Sequence, residues 1–303
     1  MAHAHPHGDH HHGAGNGRLL TTALALTLGF ALVEAVAGWW SGSLALLGDA
    51  GHMLTDGASL GLAAFAAWLA RRPPSPKHSY GLGRAELLAA LLNALFMIAI
   101  VVAITSAAVE RLITPRPVAG ETVTAVAAIG LLINLAVVWL LSQGGQNVNT
   151  RGALLHVLGD LLGSVAALAA GVVITVTGWT PIDPILSLAI VALILFSSLR
   201  LLREALHLLL DGVPSGLDLA TVGQALAELD GVREVHDLHI WHLSADRVAL
   251  SAHLVMAEPS GWQQTIAAAT RLLQERFGIG HVTLQPELPT APVVVQLHPR
   301  GRR

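Results

Sequence analysis

Cysteine is absent from this chain of 303 residues, and charged residues are scarce, at 12% against the roughly 25% of soluble domains. The lack of cysteine excludes disulfide bonds and thiolate ligands, so any metal must be held by histidine, aspartate or glutamate. Aromatic residues contribute only 4%, whereas 53% of the residues are hydrophobic. This excess of apolar over charged residues indicates a membrane protein.

The apolar residues form six blocks, each near or above the roughly 20 residues that a helix needs to cross about 30 Å of hydrocarbon. After Gly212, charges, prolines and strand-like alternation return. The sequence therefore predicts a His-rich tail over 1–18, a six-span transmembrane domain over 19–211 and a soluble domain over 212–303. The predicted spans are 19–40, 44–70, 86–113, 121–142, 148–178 and 183–208.

Basic residues predict the orientation of the spans, because Lys and Arg in short loops stay on the cytoplasmic side. With the amino terminus inside, only Arg111 and Arg116 fall outside. We therefore expect a multi-pass protein of the cell (inner) membrane with both termini in the cytoplasm. The inner basic residues are Arg18, Arg71, Arg72, Lys77, Arg84, Arg151, Arg200 and Arg203.

Polar residues interrupt the second predicted span in "GDAGHMLTDG". An ionisable group at the bilayer centre costs at least about 2.5 kcal/mol on insertion scales, so several together indicate a function. His52 and Asp56 lie four residues apart and hence on one helix face. Asp49 falls on nearly the same face, where it could line a vestibule, contact His52 or act as an alternative ligand.

The fifth predicted span repeats the pattern in "LLHVLGDLLG", where His156 and Asp160 are again four residues apart. Spans two and five run in opposite directions at similar depth, so the two pairs can meet in mid-membrane. Two imidazoles and two carboxylates supply the four N and O ligands of tetrahedral Zn²⁺, and the carboxylates offset its charge. The alternative is that these residues only form hydrogen bonds between helices, and two matched pairs make this alternative less favoured.

Other polar residues in the predicted spans allow two interpretations. Glu34, Asn93 and Asn134 could form hydrogen bonds between helices or line the path of an ion. The residue pattern alone leaves both interpretations open.

The soluble region reads as helix, strand, strand, helix, strand, which predicts a small α+β domain with its helices on one side of the sheet. It contains six candidate ligands. Because strand faces alternate at every residue, we expect His236 and His239 to lie on opposite faces. The six candidates are His236, His239, His242, His253, His281 and Glu287.

Three long motifs, "SLALLGDAGHMLTD", "SYGLGRAELLAALLN" and "NTRGALLHVLGDLLGS", are followed by "VHDLHIW". In this order they resemble the cation diffusion facilitator family of divalent-metal transporters. The resemblance implies a six-span homodimer with a ferredoxin-like, metallochaperone-like cytoplasmic domain, and it implies export of Zn²⁺ in exchange for protons. The matching transport ligands are His52, Asp56, His156 and Asp160, and manganese-transporting members lack this pair of histidines.

The resemblance also implies a cytoplasmic metal site at His236, His253 and Glu287, with His281 as a plausible addition and Zn²⁺ as a possible structural ion. Gln285 departs from the family, because some members carry histidine there. In the loop between spans two and three, the single imidazole of His78 predicts no site. The tail has the sequence "HAHPHGDHHH", and its histidines (His3, His5, His7, His10, His11 and His12) predict flexible metal collection.

Protons can compete with metal at such a site, because free imidazole titrates near pH 6.5. The alternatives are Cd²⁺, Co²⁺ or Ni²⁺ as the main substrate, an intramembrane metalloenzyme, or a metal-sensing receptor. A metalloprotease is expected to carry HExxH, which the sequence lacks, and a receptor needs a larger effector domain. We therefore expect a transporter rather than an enzyme, with metal ions, protons and the lipid bilayer as partners and no nucleic acid.

Overall fold

A computed structural model describes residues 13–142, 148–244 and 246–289 of the chain. The histidine-rich segment over residues 1–12 lies outside the described residues. The described part contains eight α-helices and three strands. The helices are α1 (Gly13–Ser41), α2 (Leu44–Ala70), α3 (Ala85–Ile113), α4 (Gly120–Ser142), α5 (Val148–Thr177), α6 (Ile182–Leu209), α7 (Leu219–Ala227) and α8 (Trp262–Phe277), and the strands are β1 (Val232–Ser244), β2 (Arg247–Met256) and β3 (His281–Glu287).

Helices α1 to α6 are each long and apolar enough to cross a membrane over the described residues. Many of their large apolar side chains are exposed, as expected where lipid replaces water, with Trp39 and Phe96 as examples. Glycines with positive φ follow α1 and α5, Gly42 at 72° and Gly178 at 70°, and end these helices in the left-handed conformation. The six predicted spans are thereby confirmed.

The chain folds into two compact units. The first contains residues up to Phe65 together with Ala89–Arg203, and the second contains Ala66–Leu88 together with the residues from Glu204. In the first unit, α4 and α5 pack so closely that a Cβ on Gly171 would lie 2.6 Å from the Thr124 nitrogen. Small residues thus let the membrane helices approach each other.

A buried carboxylate at the start of α6 holds the first turn of α2. The Asp183 side chain is fully buried, and a negative charge is favourable beside the amino end of a helix. Arg111 of α3 lies 3.8 Å from the same carboxylate and also donates to the Gly42 carbonyl. The oxygens of Asp183 accept hydrogen bonds from Ser43 Oγ at 2.5 Å, Leu44 N at 2.7 Å and Ala45 N at 3.3 Å.

We predict that Asp183→Ala lowers the free energy of unfolding by about 3–5 kcal/mol, because it leaves the buried α2 donors without their acceptor and the partly buried Arg111 without its carboxylate. Thermal unfolding in detergent measures the change. The control, Asp183→Asn, keeps one acceptor oxygen and should lose less stability. An Asp183→Ala protein that unfolds at the wild-type temperature would contradict this role.

In the second unit, three strands form a sheet in the order β1-β2-β3, with β1 and β2 antiparallel and β2 and β3 parallel. Both α7 and α8 pack on one face of it, as predicted. Leu226 and Leu273 from these helices are fully buried against alternate residues of β2. The alternate residues are Leu250, Ala252, Leu254 and Met256.

The loop between α2 and α3 belongs to this second unit. Arg84 donates to Asp211 at 2.5 Å, and the Tyr80 ring contacts the His281 ring edge to face at 5.8 Å. Gly83 lies so close to Ser244 that an added Cβ would be 2.6 Å from the serine Cβ. The loop therefore packs against the sheet instead of standing alone.

Candidate metal centres

Three of the four predicted transport ligands, His52, Asp56 and Asp160, are brought together between α2 and α5. The Nε2 atom of His52 lies 3.5 Å from Asp56 Oδ2 and 4.0 Å from Asp160 Oδ1. Two ligands of one tetrahedral Zn²⁺ are about 3.4 Å apart, given bonds of about 2.1 Å. The three side chains are therefore spaced so that small rotations would bring them onto one cation.

The three groups differ in exposure. The Asp160 side chain is fully buried, whereas those of His52 and Asp56 are 23% and 21% exposed. His156 belongs to α5 one turn before Asp160, and its side chain lies outside the described residues. Its share in the site therefore stays a prediction.

A cavity of about 350 Å³ lies beside His52 among α2, α5 and α6. Asp49 is 2% exposed and lines this cavity with His52, as a vestibule residue would. Apart from Ser197, the remaining lining residues are glycine or apolar. The remaining lining residues are Gly159, Leu162, Gly163, Ala166, Leu186, Ala189, Ile190, Leu193, Ile194 and Ser197.

In the same unit, Asn134 of α4 donates from Nδ2 to Ser164 Oγ of α5 at 3.0 Å. This is the helix-to-helix hydrogen bond that was one of its two predicted roles. Glu34 of α1 is fully buried in the same unit. Neither of these residues lines the cavity at His52.

The second cluster lies on the sheet, on the face away from α7 and α8. His236, His253 and Glu287 each offer a ligand atom, and these atoms lie within 4.8 Å of one another. The Glu287 carboxylate reaches His236 Nε2 at 2.8 Å and His253 Nδ1 at 2.9 Å. Two imidazoles and one carboxylate leave a fourth position open, an arrangement that suits Zn²⁺.

The expectation that His236 and His239 face opposite sides of the sheet is wrong. His236 pairs with His253, and His239 pairs with Ser251. Between these two pairs, two residues of β1 therefore lie opposite a single residue of β2. This bulge shifts the alternation by one residue, and both histidines lie on the same face. Asp237 adopts a φ of 50° at the bulge.

Asp237 joins the two histidines on this face. His239 Nε2 donates to Asp237 Oδ1 at 2.9 Å, and this hydrogen bond lowers the pKa of Asp237 below its usual range. The other oxygen lies 3.6 Å from Nε2 of His253, on the opposite side of the ring from Glu287. A carboxylate in that place fixes the orientation of a metal-binding imidazole. Asp237 was not among the functional residues predicted from the sequence, although it lies between the histidines of the motif "HDLH".

His281 lies outside this group. It pairs with Ala249, four residues along β2 from His253, which corresponds to about 13 Å along a strand. Gln285 pairs directly with His253, at the register position where histidine was expected in some family members. The geometry therefore favours a three-residue set without His281.

Comparison with family models matches both units. The cation efflux transmembrane domain matches residues 20–210, and the cation efflux protein cytoplasmic domain matches residues 214–288. The chain belongs to the cation efflux family, also called the cation diffusion facilitators. The resemblance in the sequence motifs is thus confirmed.

Curated relatives cover nearly the whole chain. The zinc transporter ZitB of Escherichia coli is 43% identical over 95% of this chain and 93% of its own length. The cadmium, cobalt and zinc/H(+)-K(+) antiporter of Bacillus subtilis is 36% identical, covering 92% of each chain. The metal cation efflux system protein CzcD of Cupriavidus metallidurans is 39% identical, covering 92% of this chain and 89% of its own.

Membership of the cation efflux family decides between the main alternatives. The family and these relatives are transporters, so the chain is a multi-pass membrane transporter for efflux of divalent metal and not an enzyme. The two clusters of histidine and carboxylate described above are the candidate places where this cation efflux protein holds metal.

We predict that Asp237→Asn weakens Zn²⁺ binding to the cytoplasmic cluster of this cation efflux protein by about tenfold, because His253 loses the carboxylate that orients it. Equilibrium titration of the purified full chain with Zn²⁺ measures the change. His281→Ala is the control and should leave the binding unaltered. Wild-type affinity in Asp237→Asn, or a loss in His281→Ala, would contradict the assignment.

Proposed function

We propose that the protein exports Zn²⁺ from the cytoplasm in exchange for protons, with His52, Asp56, His156 and Asp160 as the transport ligands. The observation that carries the proposal is the position of His52 between Asp56 of its own helix and Asp160 of α5. Three side chains with ligand atoms, from two membrane helices, lie close together in a largely buried place where a bound ion must lose its water of hydration. Two carboxylates offset the charge of the divalent ion.

Release follows from protonation. Metal binds the neutral imidazole and the ionised carboxylates, so protons and metal exclude each other from these atoms. A site that opens alternately to each side of the membrane then loads metal where protons are scarce and releases it where they are abundant. An inward proton gradient drives outward metal flux.

The cytoplasmic domain supports two further parts of the proposal. His236, His253 and Glu287 would hold a metal ion that stabilises this domain, and the domain would pair with that of a second copy to form a homodimer. The distribution of Lys and Arg supports cytoplasmic termini. The bilayer surrounds α1 to α6, whose apolar side chains are exposed.

Zinc is favoured by the paired imidazoles, since imidazole suits Zn²⁺ better than it suits Mg²⁺ or Mn²⁺. The relative in B. subtilis is named for cadmium, cobalt and zinc, and this favours Cd²⁺ and Co²⁺ as secondary substrates. Ni²⁺ accepts the same donors.

Reconstitution into proteoliposomes tests the function. With an imposed pH gradient, Zn²⁺ should move against the proton flow, and abolishing the gradient with an ionophore should stop net accumulation. Competition with Cd²⁺, Co²⁺, Ni²⁺ and Mn²⁺ in the same vesicles ranks the substrates. A zinc flux that does not depend on the pH gradient would contradict exchange of zinc for protons.

A further inference from the structure

Glu34 is a buried acid that the proposed metal site does not use. It lies in α1 and its side chain is fully buried, as is Asn134 of α4. Asp49 of α2, only 2% exposed, is close enough to interact with it electrostatically. A membrane helix carries such a carboxyl at a cost of several kcal/mol, which indicates a function.

Two glycines make room for these acids. A Cβ on Gly163 of α5 would lie 2.7 Å from Asp49 Oδ1, and a Cβ on Gly130 of α4 would lie 2.5 Å from the Phe30 ring and 3.2 Å from Glu34 Oε1. A larger residue at either position would push into the Asp49 carboxyl group or into the Phe30 ring beside Glu34. The space around both acids is therefore shaped by the helices that face them.

A hydrogen bond connects the two glycine positions. Asn134 lies one turn after Gly130 on α4 and donates to Ser164, the neighbour of Gly163 on α5. Buried polar groups thus lie on four helices: Glu34 on α1, Asp49 on α2, Asn134 on α4 and Ser164 on α5. Asp49 lines the cavity beside His52, whereas Glu34 and Asn134 do not.

Neither oxygen of Glu34 has a hydrogen-bond partner in the described part of the chain, and Asn134 Oδ1 has none there either. The titratable groups that interact electrostatically with Glu34 are Asp49 of α2 and Asp160 of α5, both acidic, and Gly130 of α4 lies against its carboxyl group. An ionised Glu34 would be a buried negative charge with no hydrogen-bond donor among the described residues and with two further acids nearby. A proton on Glu34 removes this conflict.

On the basis of the proposed metal and proton exchange, we propose that Glu34 is a proton-binding residue separate from the metal ligands. It carries a proton while the transport site lacks metal and releases it when a divalent ion binds beside Asp160. The carboxyl O–H bond breaks, its electron pair stays on the carboxylate, and the proton passes to water. The incoming ion replaces the proton as the positive charge near the three acids.

The cavity beside His52 gives the released proton a route. Asp49, which interacts electrostatically with Glu34, lines this cavity of about 350 Å³. Water there can accept a proton that leaves the buried core. Metal binding and proton affinity at Glu34 are then linked in both directions, as thermodynamics requires of two coupled sites.

The test counts protons released when Zn²⁺ binds to the purified full chain at fixed pH, using a pH-sensitive dye in weak buffer. Glu34→Gln keeps the shape of the side chain but cannot release a proton. We expect it to bind Zn²⁺ and to release about one proton fewer than the wild type. In proteoliposomes its zinc uptake should respond less to a pH gradient.

Two variants serve as controls. Glu34→Asp keeps a carboxyl group and should restore the proton release. Thr27→Val removes a buried hydroxyl seven residues earlier on α1, where Thr27 is 8% exposed, and should leave the proton count unchanged. Proton release from Glu34→Gln equal to that of the wild type would overturn the proposal. A wild type that binds Zn²⁺ without releasing protons would instead reject the exchange itself.

An infrared difference spectrum on adding Zn²⁺ covers the case in which Glu34→Gln does not fold. The wild type should lose the carbonyl band of a protonated carboxylic acid, and Glu34→Asp should shift that band. A band that is absent, or unshifted in Glu34→Asp, would overturn the proposal.

Discussion

Asp160→Asn is expected to reduce zinc transport by at least about 100-fold, because the amide cannot offset the charge of a buried cation, a loss of about 3 kcal/mol or more. Asp160 is the most deeply buried of the described residues among the proposed transport ligands and lies 4.0 Å from His52 Nε2. Little water is therefore available to replace its charge. Initial rates of Zn²⁺ uptake into proteoliposomes measure the loss.

Asp218→Asn is the matched control for this change. Asp218 is exposed at the amino end of α7, where it accepts a hydrogen bond from the Thr221 nitrogen at 2.8 Å. The two hydrogen bonds from Thr221 lower the pKa of Asp218, and asparagine caps a helix equally well. Transport should stay at the wild-type rate. Undiminished uptake by Asp160→Asn would remove this residue from the site.

We expect His52→Asp to change which metal is transported. The replacement removes a nitrogen ligand and adds a third carboxylate beside Asp56 and Asp160, a donor set that suits Mn²⁺ better than Zn²⁺. We expect the ratio of zinc to manganese transport to fall by about tenfold. Competition flux measurements with both ions in one vesicle preparation give the ratio directly.

The control for His52→Asp is His78→Asp, which makes the same chemical change in the exposed loop between α2 and α3. It should leave the ratio unchanged. If His52→Asp also retains the wild-type preference, the imidazole of His52 does not select the metal.

The transmembrane helices could be predicted because a span is set by length and apolarity, which are local properties of the sequence. The pairing of His52 with Asp56 followed from helical spacing alone. Their proximity to Asp160 depended on the direction of successive spans, and the structure supplies the distances.

Features that depend on distant or irregular contacts could not be predicted. Asp183 accepts hydrogen bonds from two residues that lie 139 and 140 positions earlier in the chain. Nothing in the local sequence "PIDP" indicates those partners. The bulge at Asp237 shifted the alternation on which the faces of His236 and His239 were assigned. A single inserted residue in a strand reverses every face after it.

The presence of metal between α2 and α5 is tested most directly by anomalous diffraction at the zinc edge from crystals of the full chain grown with Zn²⁺. We predict a peak about 2.0–2.2 Å from His52 Nε2 and from carboxylate oxygens of Asp56 and Asp160, with His156 completing the set. The proposed metal site at His236, His253 and Glu287 would give an internal reference for bound zinc. A peak at that cluster with none between α2 and α5, in crystals that bind zinc fully, would contradict the account.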